Sequence, residues 1–342
     1  MRTKRANEPG TDPHGERGVA LLMVLMLLAT VATVAVATTA LVTRSVARAQ
    51  AAQSRDAGLW ALAGAEAAAL HLLENASATE PPPIGQTLAL PIGGAVIQAR
   101  LDPVACVNVN AFVTGAPGAY ETPRGENGAG AGPGIARFAR LVVALGGNEP
   151  AATRLAEVTA DFQDADDAPN PGGAEDFDLT RRPVPYRTAG RLLADVSELR
   201  AVPGWDRATY GALRPYLCAL PTTNPLKVDV NGLAPADAPV LAALMATSLP
   251  VTEVERLIAA RPPGGWPSVS DFTALPQVAS SGLNPSDVDV APSLLSLSAR
   301  VAANGQEFGM TALIFDDGGR WRVLSRRFGP APRLGPRRGE SA

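Results

Sequence analysis

Val19-Ala20-Leu21-Leu22-Met23-Val24-Leu25-Met26-Leu27-Leu28 opens a run that continues to Thr43, 25 residues without a charged side chain. As a helix rising about 1.5 Å per residue, the run would be roughly 37 Å long. That exceeds the ~30 Å hydrocarbon core of a bilayer and the ~7–15 apolar residues of an ordinary secretory signal. A helix satisfies its own backbone groups, so a single one can stand alone in lipid. Residues 19–43 therefore read as a transmembrane helix, and the chain beyond Thr43 as a soluble body carried on it.

Residues 1–18 hold Pro9, Gly10, Pro13 and Gly15 and read as unstructured. Arg2, Lys4, Arg5 and Arg17 outnumber Glu8, Asp12 and Glu16, a small positive excess that favours a cytoplasmic N-terminus. Glu16-Arg17-Gly18 directly before an apolar helix resembles the leader of type IV pilins and type II secretion pseudopilins. The resemblance implies cleavage after Gly18 by a prepilin peptidase and methylation of the new N-terminus, Val19. An uncleaved signal anchor and a secretory signal cut after Ala35-Val36-Ala37 are the alternatives.

The 342 residues suffice for two domains. The net charge of −3 becomes −4 without residues 1–18, which argues against a nucleic-acid protein, where a basic patch is usual. The 33 glycines and 31 prolines predict long loops. Cys106 and Cys218 form one disulfide if the body lies in an oxidising compartment; two buried free thiols are the other reading. Without a CxxC pair or accompanying histidines, the chain does not read as a zinc protein.

Arg44 to Leu73 lacks proline, and Leu59, Leu62, Ala63, Leu70 and Leu73 share one helical face. One continuous helix is expected from about Val19 to Leu73, its second half packing on the body. Glu66 falls among the apolar positions with no assignable role. Pro81-Pro82-Pro83 ends the helix. Leu88–Leu90 and Gly94–Leu101 read as a strand pair, and Asp102–Asn110 holds an extended segment. The Gly-, Ala- and Pro-rich stretch 114–134 reads as a mobile loop. Helices are expected at 135–145 and 149–161. Three C-terminal strands are expected at 295–301, 306–315 and 320–328, with Asp316-Asp317-Gly318-Gly319 as a hairpin turn. They complete an antiparallel sheet with the strands near residue 90. The Pro- and Arg-rich chain after Gly329 reads as disordered.

Asp161–Asp178 holds seven carboxylates and no basic residue. So many anions repel one another unless a cation sits among them, and hard oxygen donors suit calcium. Asp164, Asp166 and Glu175 occupy the first, third and twelfth positions of an EF-hand loop, but Ala168 and Pro169 stand where a ligand and the turn glycine belong. An irregular calcium loop and a solvated acidic loop are the two readings. A catalytic carboxylate pair has no companion base to work with.

Asp195–Arg200, Val202-Pro203-Gly204-Trp205 and a helix capped by Asp206 resemble a helix-hairpin-helix. Thr252-x-x-Glu255 reads as a capping box, Arg261–Trp266 breaks that helix, and residues 180–290 read as an all-helical module. Helix-hairpin-helix modules that bind DNA grip phosphates with hairpin amides and need nearby cations. Arg200, Arg207 and Arg214 are offset by Asp195, Glu198 and Asp206, so a packing or protein-contact role is favoured.

The combination Arg17–Leu22, Trp60–Ala67, Asp164–Asp167 with Gly173–Asp176, Leu193–Arg200, Arg214–Cys218 and Arg261–Trp266 resembles the type II secretion minor pseudopilin K family along most of the chain. The resemblance implies an α+β, pilin-like fold. In it a long N-terminal transmembrane helix packs on an antiparallel sheet that carries a large inserted helical (helix-hairpin-helix, SAM-like) domain. The expected boundaries are a cleaved leader 1–18, the helix 19–73, a first pilin-like part 74–179, the insert 180–290, C-terminal strands 291–329 and a tail 330–342. It also implies structural calcium, with Asp164, Asp166, Asp167, Glu175 and Asp176 as candidate ligands, and a Cys106–Cys218 disulfide. Implied partners are the other minor pseudopilins, the major pseudopilin, the inner-membrane assembly platform, the prepilin peptidase and lipid. The body would lie in the periplasm, at the pseudopilus tip. Met23, the fifth residue counted from Val19, stands where family members that stack in the filament carry a Glu to neutralise the N-terminus of the subunit above. A subunit with nothing above it needs no such carboxylate, which would be costly in lipid; plain membrane packing is the other reading of Met23. No nucleophile–base constellation or phosphate loop points to an enzyme. The alternative is a membrane-anchored DNA-binding protein of an uptake system.

Overall fold

No proline interrupts the chain between Pro13 and Glu74, and Ala and Leu dominate it. In a computed structural model, described over residues 13–77, 81–113, 133–247 and 249–334, this stretch is one helix, α1 (Pro13–Glu74). The helix starts inside the expected leader rather than at Val19, because Pro13 suits a first helical turn and nothing behind it breaks the ladder. Residues 1–12 lie outside the described residues, as do most of the loop expected at 114–134 and the end of the tail.

The chain divides into two units, residues 1–58 and 59–342. In the first, the apolar side chains from Val19 to Val42 are exposed. The helix is long and apolar enough to cross a membrane.

The second unit continues with β1 (Thr87–Ile92), β2 (Ala95–Pro103), β3 (Val107–Asn108), α2 (Pro133–Ala144), α3 (Glu149–Asp161), α4 (Asp176–Leu179), α5 (Arg207–Leu213), β4 (Leu217–Cys218), β5 (Val228–Asp229) and α6 (Ala238–Ala242). Then come α7 (Val251–Ala259), α8 (Val269–Thr273), α9 (Pro276–Ala279), β6 (Val288–Asp289), β7 (Leu294–Ala303), β8 (Gln306–Asp316) and β9 (Trp321–Gly329). Among the described residues, a five-stranded antiparallel sheet has the order β1-β2-β7-β8-β9. Alternation puts Ile97, Ala99, Leu101, Leu295, Leu297, Ala299, Met310, Ala312 and Ile314 on one face, where Leu62, Ala65, Ala69 and Leu73 of α1 cover them. Glu66 joins that buried face and pairs with Arg326 of β9 through two hydrogen bonds of 2.5 and 2.7 Å.

The insert begins much earlier than residue 180. β2 and β7 are hydrogen-bonded neighbours, with Pro103 opposite Leu295 and the Val104 amide donating to the Leu294 carbonyl at 2.9 Å. Residues 104–293 are therefore one connection between adjacent strands. Ile135, Phe138 and Leu141 of α2, with Ala152 and Ala156 of α3, share a core with Leu199, Leu241, Val254 and Phe272. The amphipathic pattern of α2 and α3 requires a core but does not say which one. The insert is not all helix either: β3 pairs with β4 and β5 with β6, both parallel. The Thr252–Glu255 box caps nothing, since α7 already starts behind Pro250; a capping box does form between Asp195 and Glu198.

Of the tail expected to be disordered, residues 330–334 lie on the sheet face away from α1. Pro330, Ala331 and Pro332 cross so close to Gly309 that a Cβ there would collide with them. The Thr87 hydroxyl of β1 donates to the Leu334 carbonyl at 3.2 Å.

Candidate functional site

The end of α3 and the loop after it bring Asp161, Asp164 and Glu175 together, one carboxylate oxygen of each lying within 4.8 Å of the others. Asp161 is fully buried at the last residue of α3, a position where carbonyls already repel a negative charge. Asn170 donates to it from its amide at 3.1 Å and from its side chain. Gly173 has to be glycine, because a Cβ there would strike the Asp161 carboxylate.

Asp164 Oδ1 and Glu175 Oε1 are buried without a hydrogen-bond partner. Burial, then repulsion from Asp166 and Asp161, pushes Asp164 up to about 7. Burial, then the surrounding aspartates, does the same to Glu175, also to about 7, and Asp161 is raised chiefly by burial. Three carboxylates this close together, two of them with a buried, unpartnered oxygen, suit a hard divalent cation.

Of the sequence candidates, Asp164 and Glu175 enter this cluster. Asp166 and Asp167 are exposed beside it; Asp166 turns one oxygen to the Ala168 amide at 3.0 Å. Asp176 points elsewhere, to Thr188 and Arg187. Asp161 opens the acidic stretch but is not among the candidate ligands, because in the sequence it reads as a helix end. Its signal is a carboxylate in the last turn of a helix, three residues before Asp164.

Cys106 and Cys218 are bonded, with Cα atoms 5.7 Å apart, and lie with Leu220, Leu226 and Leu294 between the insert and Leu313, Phe315 and Leu324 of the sheet. Gly18 and Val19 are exposed within α1. The hairpin after Leu199 faces inward. Gly204 abuts Leu155 of α3, the Trp205 indole donates to the Thr159 hydroxyl at 2.9 Å, and the Trp205 and Asp206 amides donate to Val202 and Gly204 carbonyls. Those amides are engaged within the chain, so the hairpin serves packing.

Two models described as type II secretion system (T2SS), protein K, match residues 105–222 and 228–292. The type II secretion system protein K of Klebsiella pneumoniae is 32% identical over 92% of this chain and 97% of its own length. This chain belongs to the type II secretion system protein K family. The Pectobacterium carotovorum protein K is 29% identical over the same shares. Among solved structures, the GspK-GspI-GspJ complex from the enterotoxigenic Escherichia coli type 2 secretion system contains a chain 27% identical, with a TM-score of 0.64, covering 82% of this chain and 99% of that one. The insert that opens at Val104 and closes before Leu294 coincides with the two protein K matches. Membership of the protein K family makes the chain a minor pseudopilin of type II protein secretion and leaves the DNA-binding alternative unfavoured.

Proposed function

We propose that this minor pseudopilin caps the periplasmic pseudopilus and starts its assembly, without enzymatic chemistry. The observation that carries the reading is the insertion of residues 104–293 between adjacent strands of a pilin-type sheet behind an exposed apolar helix. A large insert between adjacent strands suits a subunit that has no successor stacked on it. Its partners are the other minor pseudopilins, as in the GspK-GspI-GspJ complex, then the major pseudopilin and the inner-membrane assembly platform. Trp60, 78% exposed on α1, is an aromatic anchor for such a partner. Residues 19–43 hold the chain in the inner membrane, and the prepilin peptidase cuts after Gly18 and methylates Val19. The Cys106–Cys218 disulfide suits a periplasmic body.

Asp161, Asp164 and Glu175, with Asp166 alongside, are proposed to hold calcium, which supplies the positive charge that this buried cluster lacks. Its role is structural, joining α3 to the loop that carries Glu175.

Mass spectrometry of the chain from membranes of cells with the secretion system tests the processing. A methylated Val19 start is expected. A chain starting at Met1 would make it a plain anchor, and one starting at Thr38 an ordinary exported protein. Secretion restored by the chain in a strain lacking its own protein K tests the role itself.

A further inference from the structure

Between Asp176 and Thr188 the chain leaves the core and returns to its starting point. Asp176 Oδ1 accepts hydrogen bonds from the Thr188 amide at 2.7 Å and the Thr188 hydroxyl at 3.1 Å, and the Arg187 guanidinium lies 3.5 Å from the other oxygen. A surface loop closed at its base in this way is an Ω-loop, a form of about 6–16 residues that frequently carries function. Leu179, fully buried in the insert's core, anchors it, while every residue from Thr180 to Pro185 is exposed.

What the loop exposes is not what a solvated loop needs. Phe177 is 65% and Val184 76% exposed, and the Arg181 guanidinium stacks over the Phe177 ring, 4.0 Å from its centroid. Neither Phe177 nor Val184 belongs to a core cluster. Val184 stands between Pro183 and Pro185, which fix their own backbone angles and restrict Arg182 and Val184 to extended ones. An apolar tip held rigid in advance loses little entropy on docking. Arg181 and Arg182 are exposed beside it, with Asp178 as the only acidic side chain between Phe177 and Arg187.

We infer that loop 176–188 is a docking site for an acidic polypeptide surface with an apolar socket. Val184 and Phe177 enter the socket, and Arg181 and Arg182 pair with carboxylates at its rim. Aromatic and arginine side chains are the groups enriched at such contacts, and the guanidinium fork matches a carboxylate in two hydrogen bonds. An anionic lipid surface fits less well. Basic lipid-binding clusters run to about 4–8 cations, and the third arginine of this loop, Arg187, is already held by Asp176.

The test places a photo-crosslinking p-benzoylphenylalanine at Val184 of the full chain, in cells that assemble the secretion system. A discrete protein adduct is expected, with the crosslinked peptide rich in Asp and Glu. Arg181→Glu with Arg182→Glu should lower its yield about tenfold or more, the effect of losing one or two charge-assisted hydrogen bonds, while Arg181→Lys with Arg182→Lys lowers it less. Unchanged melting temperature and an intact Cys106–Cys218 bond establish that the variants fold, and Val184→Ser, with the crosslinker moved to Phe177, provides a charge-neutral second test. An adduct with lipid alone, no adduct, or a protein adduct indifferent to charge reversal overturns the inference. The secretion readout rests on the pseudopilin reading. If the unaltered chain restores no secretion, that reading fails, and the crosslink still decides the loop.

Discussion

Asp161, Asp164 and Glu175 set three carboxylates within 4.8 Å of one another, and the sign of their effect depends on what lies between them. Burial, then repulsion from neighbouring aspartates, pushes Asp164 and Glu175 up to about 7 without a cation, against about 4 when unfolded. The folded state then keeps protons that the unfolded chain has lost, so the stability contributed by these groups falls as pH rises from about 4 to about 7. Calcium needs the ionised carboxylates, and its affinity rises over the same range. We expect calcium to raise the melting temperature clearly near pH 8 and hardly near pH 5, and Asp164→Asn to abolish that response while stabilising the cation-free chain near pH 8. Melting curves in calcium and in chelator, at both pH values, check this; equal curves near pH 8 would remove the cation. Asn110 shows a second residue-scale effect. Fully buried, it bonds the Leu193 amide and the Leu193 and Leu220 carbonyls at 2.7–3.0 Å. Asn110→Ala leaves these buried groups unpaired and should cost roughly 3 kcal/mol or more, measurable by urea unfolding. In the sequence, Asn108 and Asn110 look like ordinary members of an extended segment, because the partners of Asn110 lie 83 and 110 residues away.

Among elements, the seam between α1 and β9 turns on Glu66 and Arg326. The two ends of the pair are unequal. The Glu66 side chain is 10% exposed and that of Arg326 52%. Removing the arginine strands a buried carboxylate, whereas removing the carboxylate leaves a guanidinium that water can solvate. Arg326→Met should therefore cost about 2–3 kcal/mol, and Glu66→Gln about 1 kcal/mol; denaturant titration of both variants decides the order. Equal losses would mean that the pair is solvated from both sides. Helical spacing puts Glu66 on the buried face, but its partner arrives 260 positions later, beyond any local pattern.

On the scale of the whole molecule, the Cys106–Cys218 bond closes a loop of 112 residues at the point where the chain leaves the sheet for the insert. Loss of so long a closure, as in Cys106→Ser with Cys218→Ser, is expected to lower stability by about 2–5 kcal/mol. Non-reducing mass spectrometry and unfolding with and without reductant check the bond and its effect. The sheet and the insert should both suffer, because the bond lies in the hydrophobic cluster between them.

Local sequence is enough to specify the long apolar helix, the strands that alternate along β2, β7 and β8, the hairpin turns and the acidic loop. Each is written in neighbouring residues, as a period, a turn dipeptide or a local excess of charge. Where the insert begins is a matter of tertiary contacts alone. Nothing local to Val104 distinguishes a loop from a domain, and the answer lies in Pro103 facing Leu295 across a strand pair. Tertiary contacts also draw Asp161 into the cation cluster, send Asp176 away from it to Thr188, and return the tail over Gly309. A carboxylate's partner is set by which backbone passes within hydrogen-bond reach, and that depends on packing between segments far apart in the chain.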